Sequence, residues 1–171
     1  MKKKLKMEIK YPSTIIPFLK NKHLLLDTNI FRDAANKPTQ FISFFNDLKK
    51  ADVTLATIEP VKYELLKGSA DINKYKEKEK LIEDIIDVTI PFTTASFELV
   101  YELINIYGID GTALSITDLM LGVILMQYKD NICLMTRDTS DFLQSIFELP
   151  FIINATHAKG IFTYGIYQYN K

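Results

Sequence analysis

Short apolar runs separated by longer amphipathic stretches constrain this chain more than any other feature of its sequence. Four runs, His23 to Leu26, Val53 to Thr57, Asn131 to Thr136 and Phe151 to Asn154, have the length and character of strands covered on both faces. Between the first two, Phe41, Ile42, Phe44, Phe45 and Leu48 recur at helical spacing. After the second, Pro60 suits the first turn of a helix that Gly68 would end. Strands alternating with helices specify crossover units, so the expected class is α/β, with a central parallel sheet flanked by helices in three layers.

The remaining stretches fill in that plan. Asp71 to Asp87 begins highly charged, with Lys74, Lys76, Glu77, Lys78, Glu79 and Lys80, and becomes amphipathic through Leu81, Ile82, Ile85 and Ile86. A solvated helix is expected there, part of an arm projecting from the body. A second helix from about Ala95 to Tyr107 carries Phe97, Val100, Tyr101 and Ile104 on one face, and Asp110-Gly111 then makes a turn. Ser115 opens a strongly apolar helix to about Tyr128, and a further helix is expected to carry Phe142, Leu143, Ile146 and Phe147. The tail Ile161 to Tyr169 alternates β-branched and aromatic residues around Gly165, which reads as an edge strand. With 171 residues, no internal repeat and no low-complexity linker, one domain is expected, its core at about 23 to 155.

Charge and cysteine usage narrow the chemistry. Lys plus Arg equal Asp plus Glu at 21 each, so no overall basic field holds nucleic acid and any polyanion must be met locally. The basic start Met1 to Lys6 is followed by Glu8, Lys10 and only a short apolar patch, Ile15 to Leu19, so a signal peptide is not expected. No stretch approaches the roughly 20 apolar residues of a membrane span, and cytoplasmic residence is the expectation. One cysteine, Cys133, reads as a small buried residue, and two scattered histidines, His23 and His157, cannot build a zinc site with it. Neither a Gly-rich phosphate loop nor a nucleophile elbow is present.

Acids are what remain. Asp27 directly follows the first strand, at the strand end where open parallel sheets bind ligands, although a helix N-cap explains it equally well. Glu64 lies on a short, largely apolar helix beside Tyr63, Leu65 and Leu66, which favours a shared polar site over a solvated surface; Glu59 competes but sits before Pro60 at the helix start. Asp118 is three residues after Ser115, so a capping box accounts for it, yet the helix it opens is apolar enough to be buried. Asp138 and Asp141 follow the third strand. Asp138 falls in the turn at the same sheet edge as Asp27, whereas Asp141 is expected in the first turn of the next helix, where it complements the dipole. Four or five such carboxylates without a counter-charge repel one another, so the cluster needs a cation, and all-oxygen ligands select Mg²⁺ or Mn²⁺.

Taken together, Leu26-Asp-Thr-Asn-Ile-Phe31, Tyr63-Glu-Leu-Leu-Lys-Gly68, Thr117-Asp-Leu-Met-Leu-Gly122 and Thr136-Arg-Asp-Thr-Ser-Asp-Phe142 resemble the four motifs of the PIN-domain nucleases, in order and with suitable spacing. The resemblance covers about Leu24 to Asn154 and leaves the first twenty or so residues and the Tyr-rich tail as additions. It implies a PIN-like fold, a Mg²⁺ or Mn²⁺ site and endonucleolytic cleavage of RNA. The metal acids it implies are Asp27, Glu64, Asp118 and an acid of the fourth motif, Asp138 before Asp141, with Thr136 and Asn29 as supporting polar residues. Many small prokaryotic PIN proteins similar to this one are the toxin halves of toxin-antitoxin pairs, so the resemblance implies an antitoxin protein as a partner beside RNA; a second copy of the chain is a further expected partner. The competing expectation is a PIN-like scaffold kept as a non-cleaving RNA-binding or interaction module.

Overall fold

The computed structural model describes residues 8–110, 114–157 and 160–170. Seven strands form one sheet: β1 (Glu8–Lys10), β2 (His23–Leu26), β3 (Thr54–Thr57), β4 (Val88–Thr89), β5 (Ile132–Thr136), β6 (Phe147–His157) and β7 (Gly160–Tyr169). The α-helices are α1 (Ile15–Leu19), α2 (Thr28–Asn36), α3 (Pro38–Lys50), α4 (Glu59–Lys67), α5 (Ile72–Ile85), α6 (Thr94–Asp110) and α7 (Ile116–Tyr128). No described helix is long and apolar enough to cross a membrane.

The sheet order is β1-β6-β7-β5-β2-β3-β4, and it corrects the expectation of a parallel sheet. Ladders β2-β3, β2-β5 and β3-β4 are parallel, while β1-β6, β6-β7 and β5-β7 are antiparallel. The reason is local. After β5 the chain forms no crossover helix; β6 lies two places away and runs in the same direction as β5, and the β6-β7 hairpin brings β7 back between them, antiparallel to both. The helix expected to carry Phe142, Leu143, Ile146 and Phe147 reduces to one turn closed by the Ile146 and Phe147 amides on the Leu143 carbonyl. Pro150 leaves no room for a longer helix, and Phe147 onward is drawn into β6. Phe142, Ile146 and Phe147 are buried all the same and Leu143 is partly so: Phe142 packs its ring on Phe147 and Tyr167.

The tail is an interior strand, not an edge. β7 pairs with β6 on one side and β5 on the other. Gly165, facing Thr136 and Ile152 across the ladders, is glycine because a Cβ there would lie 2.6 Å from the Tyr167 ring and 2.9 Å from Leu149. The amino-terminal segment likewise joins the sheet, with β1 at its edge against β6. Nor does α5 project as an arm: it packs on α2 and α4 through a face that buries Ile82 and Ile85. Asp110 closes α6, and Gly111 of the expected turn lies outside the described residues.

β5 is the hinge of the design. All five of its residues are buried, as its apolar run requires, and Cys133 is sealed deeply enough that burial pushes its thiol up to about 12. From β2 the chain moves outward through β3 to β4, and then α6 and α7 carry it back to β5 on the other side of β2. The order therefore reverses between β2 and β5, and the carboxyl ends of strands at such a reversal are where open α/β sheets bind ligands. At Gly122 of α7 a Cβ would lie 2.9 Å from Leu103 of α6, so the missing side chain lets these two helices close over the sheet.

Candidate metal centre

The reversal point carries Asp27 on one side and Asp138 on the other. Leu26 ends β2, and Asp27 is at once the N-cap of α2 and a member of the site: its side chain accepts from the Thr28 amide at 2.6 Å. Of the two explanations left open by the sequence, the cap is observed, and it leaves the second carboxylate oxygen facing Thr136 and Asn29. The other carboxylate oxygen accepts from the Thr136 hydroxyl at 2.7 Å and the Asn29 amide at 2.9 Å. Asn29 also donates to the Thr136 hydroxyl at 3.2 Å and accepts from the Arg137 amide at 3.1 Å, while the Asp138 amide donates to Thr136 at 3.0 Å. Thr136 and Asn29 thus tie the end of β5 to the start of α2 through the Asp27 carboxylate.

Glu64 reaches this place from α4, where the Thr28 hydroxyl donates to its carboxylate. Asp118 stands in the first turn of α7, below its N-cap Ser115, whose hydroxyl accepts from the Asp118 amide at 3.1 Å and bonds the Asp118 carboxylate. Asp141 corrects its expected place: no helix follows it, and it lies in the same loop as Asp138, with Ser140 donating to both carboxylates at 3.4 Å. Asp118, Asp138 and Asp141 each offer an oxygen within 4.8 Å of the others. Asp27 and Glu64 lie outside that tight trio, joined to each other through Thr28.

The acids feel one another. Burial pushes the Asp27 carboxyl above its usual range against the hydrogen bonds from Thr136 and Thr28, and the charges of Glu64 and Asp138 push it further. Asp118 is raised by burial and then by Asp27, Asp138 and Glu64. Asp141 is raised to about 6, by loss of solvent and by its contact with Asp138. Such a set is costly empty and well suited to a hard cation. The all-oxygen donor set of Asp118, Asp138 and Asp141 fits such an ion, Mg²⁺ or Mn²⁺.

Sequence reasoning missed what holds the loop after β5. Arg137 donates from Nη1 to both oxygens of the buried Asp33 on α2, at 2.9 and 3.0 Å, and its guanidinium lies 4.8 Å from the centre of the Phe162 ring. Tyr164 of β7 donates to Asp33 at 2.7 Å, and burial followed by that carboxylate raises its hydroxyl pKa. Further along, the Tyr167 hydroxyl donates to the Thr139 carbonyl at 3.2 Å. From α6 the Tyr107 hydroxyl donates to the Asp141 carbonyl and accepts from the Leu143 amide at 3.2 Å. The one available signal was the tyrosine content of the tail, which as a strand pattern does not disclose where the hydroxyls go.

No protein-family model matches the chain, and no curated protein matches it in sequence. Among solved structures, a chain in the crystal structure of VapBC2 from Rickettsia felis, bound to a DNA fragment from its promoter, is similar with a TM-score of 0.51 and 22% identity. The match covers 59% of this chain and 78% of that one. At that identity the likeness bears on architecture alone, over the part of the α/β fold that the match covers.

Proposed function

We propose that this protein is a Mg²⁺- or Mn²⁺-dependent endoribonuclease that hydrolyses RNA phosphodiester bonds, and that it is the toxin of a toxin-antitoxin pair. The observation that carries the reading is the convergence of Asp27, Glu64, Asp118, Asp138 and Asp141 on the carboxyl edge of the sheet at its reversal point, with three of them within 4.8 Å. A bound divalent cation supplies charge for the phosphate oxygens and acidifies water. The chain's part is to hold and aim. Asp27, Glu64, Asp118 and Asp138 would hold the ion, with Asp141 beside them, and Asn29 and Thr136 fix the Asp27 carboxylate. RNA as substrate follows from the likeness of the four motifs to PIN-domain nucleases; an antitoxin partner follows from that likeness and from the fold shared with the VapBC2 complex.

The test is cleavage of single-stranded RNA by the purified protein with Mg²⁺, with Mn²⁺ and after complete chelation. Internal cuts that require the cation are expected. Cutting that survives chelation overturns the metal role, and binding without cutting in either ion moves the protein to a non-cleaving RNA-binding module. Co-production with the product of an adjoining small gene is expected to suppress cleavage; unchanged cleavage removes the toxin assignment.

A further inference from the structure

The acid cluster poses a problem for any phosphodiester substrate: the chain carries no net positive charge, and the site itself repels a polyanion. A cation must stand close by. Arg137 does, between Thr136 and Asp138 in sequence, and its environment is unusual for a group that only neutralises a buried acid. One terminal nitrogen, Nη1, makes both bonds to Asp33, while the side chain remains 40% exposed. Nε and Nη2 find no hydrogen-bond partner among the described residues. The guanidinium is held in place by Asp33 and by the Phe162 ring, so its open edge is fixed before anything binds. A planar, preorganised fork with free donors matches a phosphate better than a mobile lysine does.

We infer that Arg137 binds the RNA backbone at a phosphate flanking the one that reacts. Asp33 follows Asp27 by six positions along α2, about 9 Å of helical rise, so the guanidinium anchored on Asp33 is too far from the acids to serve the reacting phosphate. An RNA strand carries one phosphate per nucleotide, so a strand lying across the acids presents a further phosphate to a cation held to one side of them. Arg137 is thus a positioning residue: it registers the strand across the β2-β5 reversal while the acids and their ion act one step away. This rests on the phosphodiester reading above, and binding can test it without cleavage.

Removing the guanidinium alone leaves Asp33 buried with only Tyr164, so the informative variant is the pair Asp33→Asn and Arg137→Gln, which removes both charges together. Affinity for a fluorescent single-stranded RNA is measured in Ca²⁺ across a salt series, with melting temperature as the check on folding. The double variant is expected to bind about tenfold more weakly, the loss typical of one charge-assisted hydrogen-bonded contact. Its log-affinity against log-salt slope should be shallower by about 0.7, the signature of one lost single-strand phosphate contact. Arg137→Lys should keep the slope and recover part of the affinity. A folded double variant with unchanged affinity and slope overturns the inference even where the wild type cleaves RNA. Normal binding by a wild type that does not cleave overturns the nuclease reading and leaves the Arg137 contact standing, and a wild type that does not bind overturns both.

Discussion

The two halves of the acid site are built differently. Asp27 is 4% exposed and saturated: Thr28, Asn29 and Thr136 all donate to it, and it grows directly from a core strand. Asp138 and Asp141 lie in a loop, contact each other, accept long bonds from Ser140, and are pinned from outside by tyrosines on α6 and β7. One half is fixed by covalent continuity with the sheet; the other is fixed by tertiary contacts that span more than 25 residues. A site assembled this way keeps one carboxylate in place and lets the others close on an ion, and changes on the two sides should have different consequences.

The largest effect is expected on the rigid side. Asp27→Asn should lower cleavage by more than the roughly 10- to 100-fold typical of residues that only support a ligand. Its stability cost should stay within about 1 kcal/mol, because a lost acceptor is offset by relief from burial and from the charges of Glu64 and Asp138. Cleavage rate and melting temperature together decide it. A large drop in melting temperature with residual activity would make Asp27 an N-cap first and erase the contrast.

That contrast also shows where the sequence was legible. Asp27, Asp118 and Asp138 were singled out because each follows a strand or opens a helix, a position that a local pattern announces, and Glu64 because its neighbours on α4 are apolar. Three strands of the parallel half were legible because β2, β3 and β5 are short, mainly apolar or β-branched runs. The antiparallel half was not. Whether Phe142 to Phe147 coil or extend is settled by Pro150 and by the partner strand, and whether β7 is an edge is settled by what pairs beyond it. Arg137, Tyr107, Tyr164 and Tyr167 act through partners more than 25 positions away, and no window of sequence shows them.

On the loop side the next effect is a pH signature. Asp141 titrates at about 6 in the folded chain, against an ordinary value of 3.8. Between those values the folded chain keeps a proton that the unfolded chain has released, so raising the pH through this window removes stability. In chelator, wild type should therefore lose melting temperature from about pH 4 to pH 6 relative to Asp141→Asn, which cannot titrate there. Mg²⁺ should restore the wild type more than the variant, since the ion replaces the proton. Parallel melting curves for the two proteins would show that Asp141 is not under strain from Asp138 and Asp118.

The smallest effect isolates the pinning itself. Tyr167→Phe deletes only the hydroxyl that holds the Thr139 carbonyl and keeps the ring, whose centre lies 5.3 Å from that of Phe142. The stability cost should be that of one hydrogen bond, about 0.5 to 1.5 kcal/mol. Thr139 sits between Asp138 and Asp141 and bears no ligand, so freeing its carbonyl loosens the spacing of the two carboxylates without removing either. The Mg²⁺ concentration for half-maximal cleavage should rise, by less than the roughly tenfold expected when a partner bonded directly to a ligand is lost. At saturating Mg²⁺ the rate should return to that of wild type, because the ion itself then gathers the loop. A reduced rate that excess Mg²⁺ does not restore would mean that β7 sets the loop for the substrate and not for the metal.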